Sequence, residues 1–221
     1  MNLFKKLLIL IPFALAIGTM QAEAFTATLP LVVHNEQPSM GQLIRSESMS
    51  LDDRYPIPSV NKVFKDNILL TLAYMSGAVK NASQVNWEAV RKPSQYVMTL
   101  QPGEVFAFTD SVLPEFAGKH IVTTNAQFVA GQGFEYDGDL YGDGVCHFAT
   151  LINWAARDAS LHVVAPTRHD FAKIPDIDPK YGTAIYAGDA QQNLYVENNF
   201  DKPVKLVFTN SNDTLTVSVY K

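Results

Sequence analysis

Apolar residues recur every three or four positions in two stretches of the chain, and this spacing predicts two long helices. The first covers residues 60–75, with Asn61 as its candidate N-terminal cap and Gly77 as the residue that ends it. The second contains the apolar run 148–156. A shorter helical turn is predicted at residues 87–91.

Short runs rich in β-branched and aromatic residues predict strands in much of the remaining chain. The predicted strands are 96–100, 105–108 (a strand or a capped turn), 161–164, 183–186, 194–196, 205–208 and 215–220. The last strand is expected to pair through a turn at 210–213, and the glycine-rich stretch 128–143 is expected to form a hairpin. A few helices among short antiparallel strands indicate an α+β fold with a single domain.

The first 24 residues have the pattern of a secretory signal peptide. Two lysines precede the apolar run 7–17, and the small-x-small motif at 22–24 predicts cleavage that would leave a new N-terminus near Phe25. We therefore expect an exported protein, in the periplasm or on the extracellular face of the cell envelope. Contact with a membrane is expected only through this segment, if it is not cleaved.

The next part of the chain, residues 25–59, contains four prolines and little periodicity. This composition predicts an extended segment or linker, with one strand at 31–33. The folded domain is then expected to cover residues 60–221.

Composition and charge narrow the class of protein. Hydrophobic residues make up 47% of the chain and charged residues 18%, which is typical of a globular protein with a core. The formal net charge of −5 argues against a nucleic-acid partner, and no basic cluster offsets it locally.

Cys146 is the only cysteine, so the chain can form no internal disulfide. The segment 142–147 reads GDGVCH and directly precedes the apolar helical run, which places the thiol at a helix N-terminus. There the helix dipole favours the thiolate, and unpaired N–H groups could hold an oxyanion. Gly142, Asp143 and Gly144 would form the turn before this nucleophile. The alternative is a buried cysteine that packs as a small apolar residue.

Three aspartates, at 137, 139 and 143, lie close in sequence to Cys146, His147 and His169, as the ligands of a metal site could. Asp137 and Asp139 resemble the start of a calcium loop, but the later ligand positions hold Tyr141 and Phe148. Cysteine and histidine do not have the spacing of a zinc site. We therefore expect no metal and no cofactor.

Five features, in order and approximate spacing, resemble the VanW family of bacterial cell-envelope proteins. They are LQPGEVFAF at 100–108, GDGVCH at 142–147, Arg168 with His169, Asn198 with Asn199, and Pro203. The resemblance covers roughly residues 60–221 and implies a wall-directed domain that cross-links peptidoglycan by L,D-transpeptidation, with Cys146 as nucleophile. The chain departs from the family pattern at Asp143, His147 and Thr183, where glycine, glutamine and an acidic residue are usual.

Acyl transfer by a thiol needs a base that moves protons in both half-reactions. His169, 23 positions after Cys146, is the candidate base, because a helix and a strand could return the chain to the site. His147 follows the cysteine directly, and neighbouring helical side chains point about 100° apart, so it is poorly placed for this role. The alternative for His169 is a surface loop histidine.

Other groups could orient the base or contact substrate. Asp170, Asn198 and Asn199 are the candidates for orienting the base in place of the acid that is usual near Thr183. Arg168 could pair with a stem-peptide carboxylate or face solvent.

Three functions are compatible with these residues. The first is an enzyme that acts on peptidoglycan stem peptides through Cys146 and His169, as an L,D-transpeptidase or a related amide hydrolase. The second is a non-catalytic envelope module that binds cell-wall fragments or a partner protein through exposed aromatic side chains such as those of Tyr136, Tyr141 and Trp154. The third is a structural exported domain.

Overall fold

The computed structural model describes residues 40–138 and 142–221, which belong to one compact unit. Its elements in chain order are β1 (Leu43–Ser50), α1 (Pro58–Met75), α2 (Trp87–Val90), β2 (Ser94–Leu100), β3 (Val105–Ala107), β4 (Ile121–Thr123), α3 (Val145–Asp158), β5 (His162–Val164), β6 (Tyr195–Glu197), β7 (Val204–Ser211) and β8 (Thr214–Tyr220). The α+β prediction is confirmed. The predicted signal peptide and the strand at 31–33 lie outside the described residues.

The first sheet is antiparallel, with strand order β1-β8-β7-β2. Its β7–β8 hairpin turns at Asn212 and Asp213, whose φ angles of 51° and 55° are positive. Asparagine and aspartate tolerate this left-handed backbone, and two such residues match the twist of a tight hairpin. The pairing of the last two strands is therefore confirmed.

Strand β1 lies in the stretch for which the sequence predicted an extended segment or linker. It pairs with β8 over its whole length, from Leu43 opposite Tyr220 to Ser50 opposite Thr214. The hydrophobic pattern did not reveal it, because five of its eight side chains are exposed at the sheet edge and only Glu47 and Met49 are buried.

Helix α3 packs on this sheet through an aromatic core. The ring of Phe148 meets those of Phe208 in β7 and Phe108 in edge-to-face geometry, each at 5.9 Å between centroids. All three rings are fully buried. This packing anchors the first turns of α3 against the sheet.

The second sheet is small and mixed, with strand order β4-β3-β6-β5. Strands β3 and β4 are parallel, whereas the other two pairs are antiparallel. The parallel strand β4 was not among the predicted strands. Strand β3 and the following Phe108 connect this sheet to the main core.

The stretch 128–138 contains a 3-10 turn at Ala130–Gln132, and the Gly142 N–H donates to the Glu135 carbonyl, while residues 139–141 of the predicted hairpin lie outside the described residues. Two local predictions are wrong. Residues 183–186 form no strand, because the Thr183 N–H donates to the side chain of Thr150 in α3 rather than to a neighbouring strand. Asn61 lies inside α1, which begins at Pro58.

Asn61 instead fixes the chain before α1. Its side-chain oxygen accepts from the Tyr55 N–H, and its amide donates to the Leu51 carbonyl. Gly77 follows the C-cap of α1 with a φ of +74°, so its predicted role as terminator is confirmed. Within residues 40–138 and 142–221, no helix combines the length and apolar character needed to cross a membrane.

A buried carboxylate connects α1 to the chain after α2. Asp66 is 1% exposed and receives two hydrogen bonds from Arg91, at 2.8 and 2.7 Å, and one from Lys62 at 2.6 Å. Burial by itself raises the pKa of Asp66, but the hydrogen bonds and charges of Arg91 and Lys62 lower it below its usual range.

Replacing Asp66 by asparagine should lower the free energy of unfolding by about 2 kcal/mol, because two cations lose a charge-assisted partner while keeping access to water. Urea denaturation measures the change. Since the folded pKa of Asp66 is lowered, this stabilisation is present above the unfolded pKa near 3.8 and is lost as the pH falls further. The exposed pair Lys92–Glu88 is the control: Glu88→Gln should change stability by less than about 0.5 kcal/mol. Equal effects of the two substitutions would contradict the prediction.

Candidate functional site

The N-terminus of α3 opens into a cavity of about 480 Å³. Cys146, His147 and His169 line this cavity, together with the whole turn Gly142, Asp143 and Gly144. The structure thus brings the predicted nucleophile, the predicted base and the predicted turn into one space.

Two glycines make the turn before the cysteine possible. Gly142 and Gly144 have φ angles of +87° and +96°, which L side chains rarely adopt. A Cβ at position 144 would lie 2.6 Å from the backbone oxygen of Phe64, and one at 142 would lie 2.9 Å from Cβ of Phe128. The space that these glycines free is therefore occupied by the protein itself and not by a ligand.

Asn67 in α1 fixes the chain on both sides of this turn. Its amide nitrogen donates to the carbonyls of Glu135 and Asp143, and its side-chain oxygen accepts from the Glu135 N–H. Asn67 is fully buried, so these three hydrogen bonds also satisfy the polar atoms of its side chain. Sequence reasoning missed this residue, because it lies within the apolar run of a helix.

The sulfur of Cys146 lies against the backbone of Ile185. It accepts a hydrogen bond from the Ile185 N–H at 3.4 Å and lies 3.9 Å from the Ile185 carbonyl oxygen. The chain at 183–185 is held there by α3: Thr183 donates to Thr150 Oγ1 at 3.0 Å and accepts from Asn153 at 2.9 Å. Thr183 is fully buried and supports the wall of the cavity.

The thiol is kept protonated by its surroundings. Burial raises the pKa of Cys146 to about 11; the Ile185 N–H opposes this shift, and the charge of Asp143 adds to it. The sequence analysis expected a lowered pKa from the helix N-terminus. The pKa is raised instead, because the cavity walls desolvate the thiolate more than the helix N-terminus stabilises it. The residue nevertheless keeps some exposure to solvent.

His147 is buried beside the cysteine. Its ring meets Phe64 edge to face at 5.1 Å, and its Nδ1 has no hydrogen-bond partner among the described residues. Burial, followed by the charges of Arg54 and His169, lowers the pKa of His147 to about 3. A neutral imidazole is the consequence at any physiological pH.

His169 is also buried, at 6.1 Å between ring centroids from His147. Its Nδ1 lies 3.1 Å from the Ala172 carbonyl oxygen, and this contact requires a proton on Nδ1. The lone pair is therefore on Nε2 in the neutral ring. Burial lowers the pKa of His169, while its own backbone, Ala172 and Asp170 oppose the shift, so the neutral form is favoured at pH 7.

Four of the remaining predicted site residues lie outside this cavity. Arg168 is exposed and donates to the Pro179 carbonyl, and Asp170 is exposed on the far side of His169. Asn198 is fully buried, where it donates to the carbonyls of Leu100 and Lys202. Asn199 binds the backbone at Ser160 and His162. The two asparagines thus satisfy backbone groups around β5 and β6 and do not reach His169.

The cavity also includes residues that the sequence did not indicate. Arg54 lines the cavity, and its Nη2 donates to Asp53 at 2.6 Å and to Asp176 at 2.8 Å. Tyr55 and Phe64 complete the same wall. A buried arginine between two carboxylates has no local sequence signature, because Asp176 lies 122 positions away.

The described residues contain no group of three or more histidine, cysteine, aspartate or glutamate side chains placed to hold a metal ion. Asp139 and Tyr141, which entered the calcium-loop comparison, lie outside the described residues.

Alkylation of Cys146 by iodoacetamide should be slow at neutral pH in the folded protein. With a pKa of about 11, about one thiol in ten thousand is ionised at pH 7. The rate should rise tenfold per pH unit up to about pH 10, whereas the urea-unfolded chain should level off near pH 8.5. A folded-state rate that levels off below pH 8.5 would show that the helix dipole outweighs burial.

Gly144→Ala should destabilise the protein by about 3 kcal/mol, because it combines a strained left-handed backbone with a clash against the Phe64 carbonyl. Gly103→Ala is the matched control, since φ at Gly103 is +79° but no atom lies within 4 Å of an added Cβ. It should cost about 1 kcal/mol, the backbone strain alone. Equal costs in urea denaturation would mean that the contact with Phe64 does not constrain this turn.

Comparison with known proteins agrees with the features of this site. The family model described as VanW like protein matches residues 89–220, which include Cys146, His147 and His169. Curated proteins and solved structures give no match. Because the matched residues make up more than half of the chain, the protein belongs to the VanW-like family.

Proposed function

We propose that the protein is an exported cell-envelope enzyme that transfers acyl groups of peptidoglycan stem peptides through Cys146, in the manner of an L,D-transpeptidase. The observation that carries the proposal is the shared cavity of Cys146 and His169 at the N-terminus of α3. The expected export through residues 1–24 provides access to the cell wall.

The electrostatics favour a neutral thiol and a neutral imidazole over a preformed ion pair. Burial raises the pKa of the Cys146 thiol and lowers that of the His169 imidazole. Proton transfer then accompanies attack, with His169 as general base, as in enzymes that pair a hydroxyl nucleophile with histidine. The contact of Nδ1 with Ala172 leaves Nε2 as the atom that accepts this proton.

The first half-reaction forms a thioester. As Sγ of Cys146 bonds to the carbonyl carbon of the stem-peptide amide, the thiol proton moves to Nε2 of His169. The C–N bond of the tetrahedral intermediate then breaks, and the leaving amine takes the proton from His169. In the second half-reaction an acceptor amine attacks the thioester, His169 removes its proton, and Sγ leaves as the thiol.

The first turn of α3 offers a donor for the oxyanion. The N–H groups of Val145 and His147 donate to the carbonyls of Gly142 and Gly144, whereas the Cys146 N–H has no backbone acceptor among the described residues. An N–H group at a helix N-terminus, on the same residue as the nucleophile, suits the negative charge of the tetrahedral intermediate.

The test is incubation of the protein, without its signal segment, with disaccharide-tetrapeptide fragments, followed by intact-mass and product analysis. A thioester adduct and new cross-linked or trimmed fragments are expected, and both should be absent in Cys146→Ala. His169→Gln should slow product formation at least about a hundredfold. His120→Gln is the matched control, because that side chain is 71% exposed and does not line the cavity, and it should retain full activity. Adduct formation in Cys146→Ala, or equal rates in the two histidine variants, would contradict the proposal.

A second function is favoured by one observation, the high pKa of Cys146. In that case the protein is a non-catalytic VanW-type envelope module that binds cell-wall fragments in the same cavity. Fragment binding measured by calorimetry, with no adduct at any pH between 6 and 10, would support this function over the enzyme.

A further inference from the structure

Exposed apolar side chains are concentrated around the mouth of the Cys146 cavity. Nine large apolar side chains are exposed in the described residues, and four of them line this one cavity. They are Tyr55, Val129, Phe171 and Tyr186, and they are called the rim below. Phe171 is 75% exposed and Tyr186 58%. Single exposed apolar residues are ordinary, but a group of them around one cavity marks a binding surface.

The rim and the floor of the cavity differ in polarity. The floor contains the thiol of Cys146 and the imidazoles of His147 and His169, and the buried Nδ1 of His147 has no hydrogen-bond partner within residues 40–138 and 142–221. An apolar chain that filled the cavity would cover these polar groups without giving them hydrogen bonds, which is costly. The occupant therefore has polar groups for the floor and apolar faces for the rim.

The charges around the cavity are close to balanced. Arg54 is held between Asp53 and Asp176, and the other charged residues that line the cavity are Asp143 and Lys173. No surplus of either sign is present to attract a strongly charged ligand. The rim therefore suits an uncharged ligand surface.

We propose that the rim binds the amino-sugar rings of the peptidoglycan glycan strand, while the attached stem peptide enters the cavity. A sugar ring presents a face of C–H groups, which packs on the electron-rich face of an aromatic ring, and its hydroxyl and acetamido groups remain at its edges for hydrogen bonds. This inference rests on the proposed function, because it assigns a glycan site to the same cavity. Its consequence is that the glycan positions the peptide before acyl transfer.

Phe171 and Tyr186 approach the cavity from different parts of the chain. Phe171 lies in the loop after His169, with the two ring centroids 4.0 Å apart, and Tyr186 directly follows Ile185, which contacts the sulfur of Cys146. A sugar held between these two rings would therefore lie next to both proposed catalytic residues. This placement differs from the aromatic surface predicted from sequence: Tyr136 does not line the cavity, Trp154 is stacked on Tyr181, and Tyr141 lies outside the described residues.

The test measures binding without catalysis. Cys146→Ala protein is titrated with a tetrasaccharide of β-1,4-linked N-acetylglucosamine, an uncharged amino-sugar chain, and binding is followed by calorimetry and by quenching of aromatic fluorescence. Saturable binding is expected. Phe171→Ala and Tyr186→Ala should each weaken it about tenfold, because each loses one stacked ring, and Phe171→Tyr should restore it.

Leu43→Ala and Val97→Ala are the matched controls, since both side chains are exposed and apolar but lie in edge strands β1 and β2. They should bind the tetrasaccharide as the parent does. Absence of binding, equal losses in rim and control variants, or binding to phospholipid vesicles in place of the glycan would overturn the inference. A thioester adduct on Cys146 with a short stem peptide, but no glycan binding, would refute the glycan site and leave the proposed acyl transfer intact. Glycan binding without any adduct would refute the acyl transfer alone.

Discussion

The close contact between the turn at Gly144 and the backbone of α1 is the constraint on which the site depends. Only a residue without Cβ fits there, because an added Cβ would lie 2.6 Å from the Phe64 oxygen. The contact brings the first turn of α3 against α1, and Asn67 secures the same turn by hydrogen bonds to Glu135 and Asp143. The position of Cys146 at the cavity follows from this junction, because the thiol is two residues beyond Gly144 on a rigid helix.

Desolvation then determines the protonation states in the site. The same burial that raises the thiol pKa lowers the pKa of both imidazoles, so three potentially charged groups are neutral together. A neutral site can be closed by protein walls without leaving an unpaired charge inside. In the proposed acyl transfer, proton transfer would accompany bond formation, so the lone pair on Nε2 of His169 would matter more than the ionisation of the thiol.

The cavity is built from chain both inside and outside the family match. Cys146, His147 and His169 lie within residues 89–220, whereas Arg54, Tyr55 and Phe64 precede them. The segment between β1 and α1, together with α1 itself, therefore completes the site.

Local pattern determined α1, α3 and the β7–β8 hairpin, because their periodicity and turn residues act over a few neighbouring positions. It also placed Cys146 at a helix N-terminus and indicated His169 as its partner in the site.

Tertiary structure decided the rest. Edge strand β1 exposes mainly polar side chains, and side chains of α3 take the hydrogen bonds that would have made 183–186 a strand. Asn198 and Asn199 form hydrogen bonds with backbone groups and do not reach the site. The pKa of Cys146 shows the division most clearly: the helix N-terminus is encoded locally, but the burial that outweighs it arises from walls contributed by distant segments.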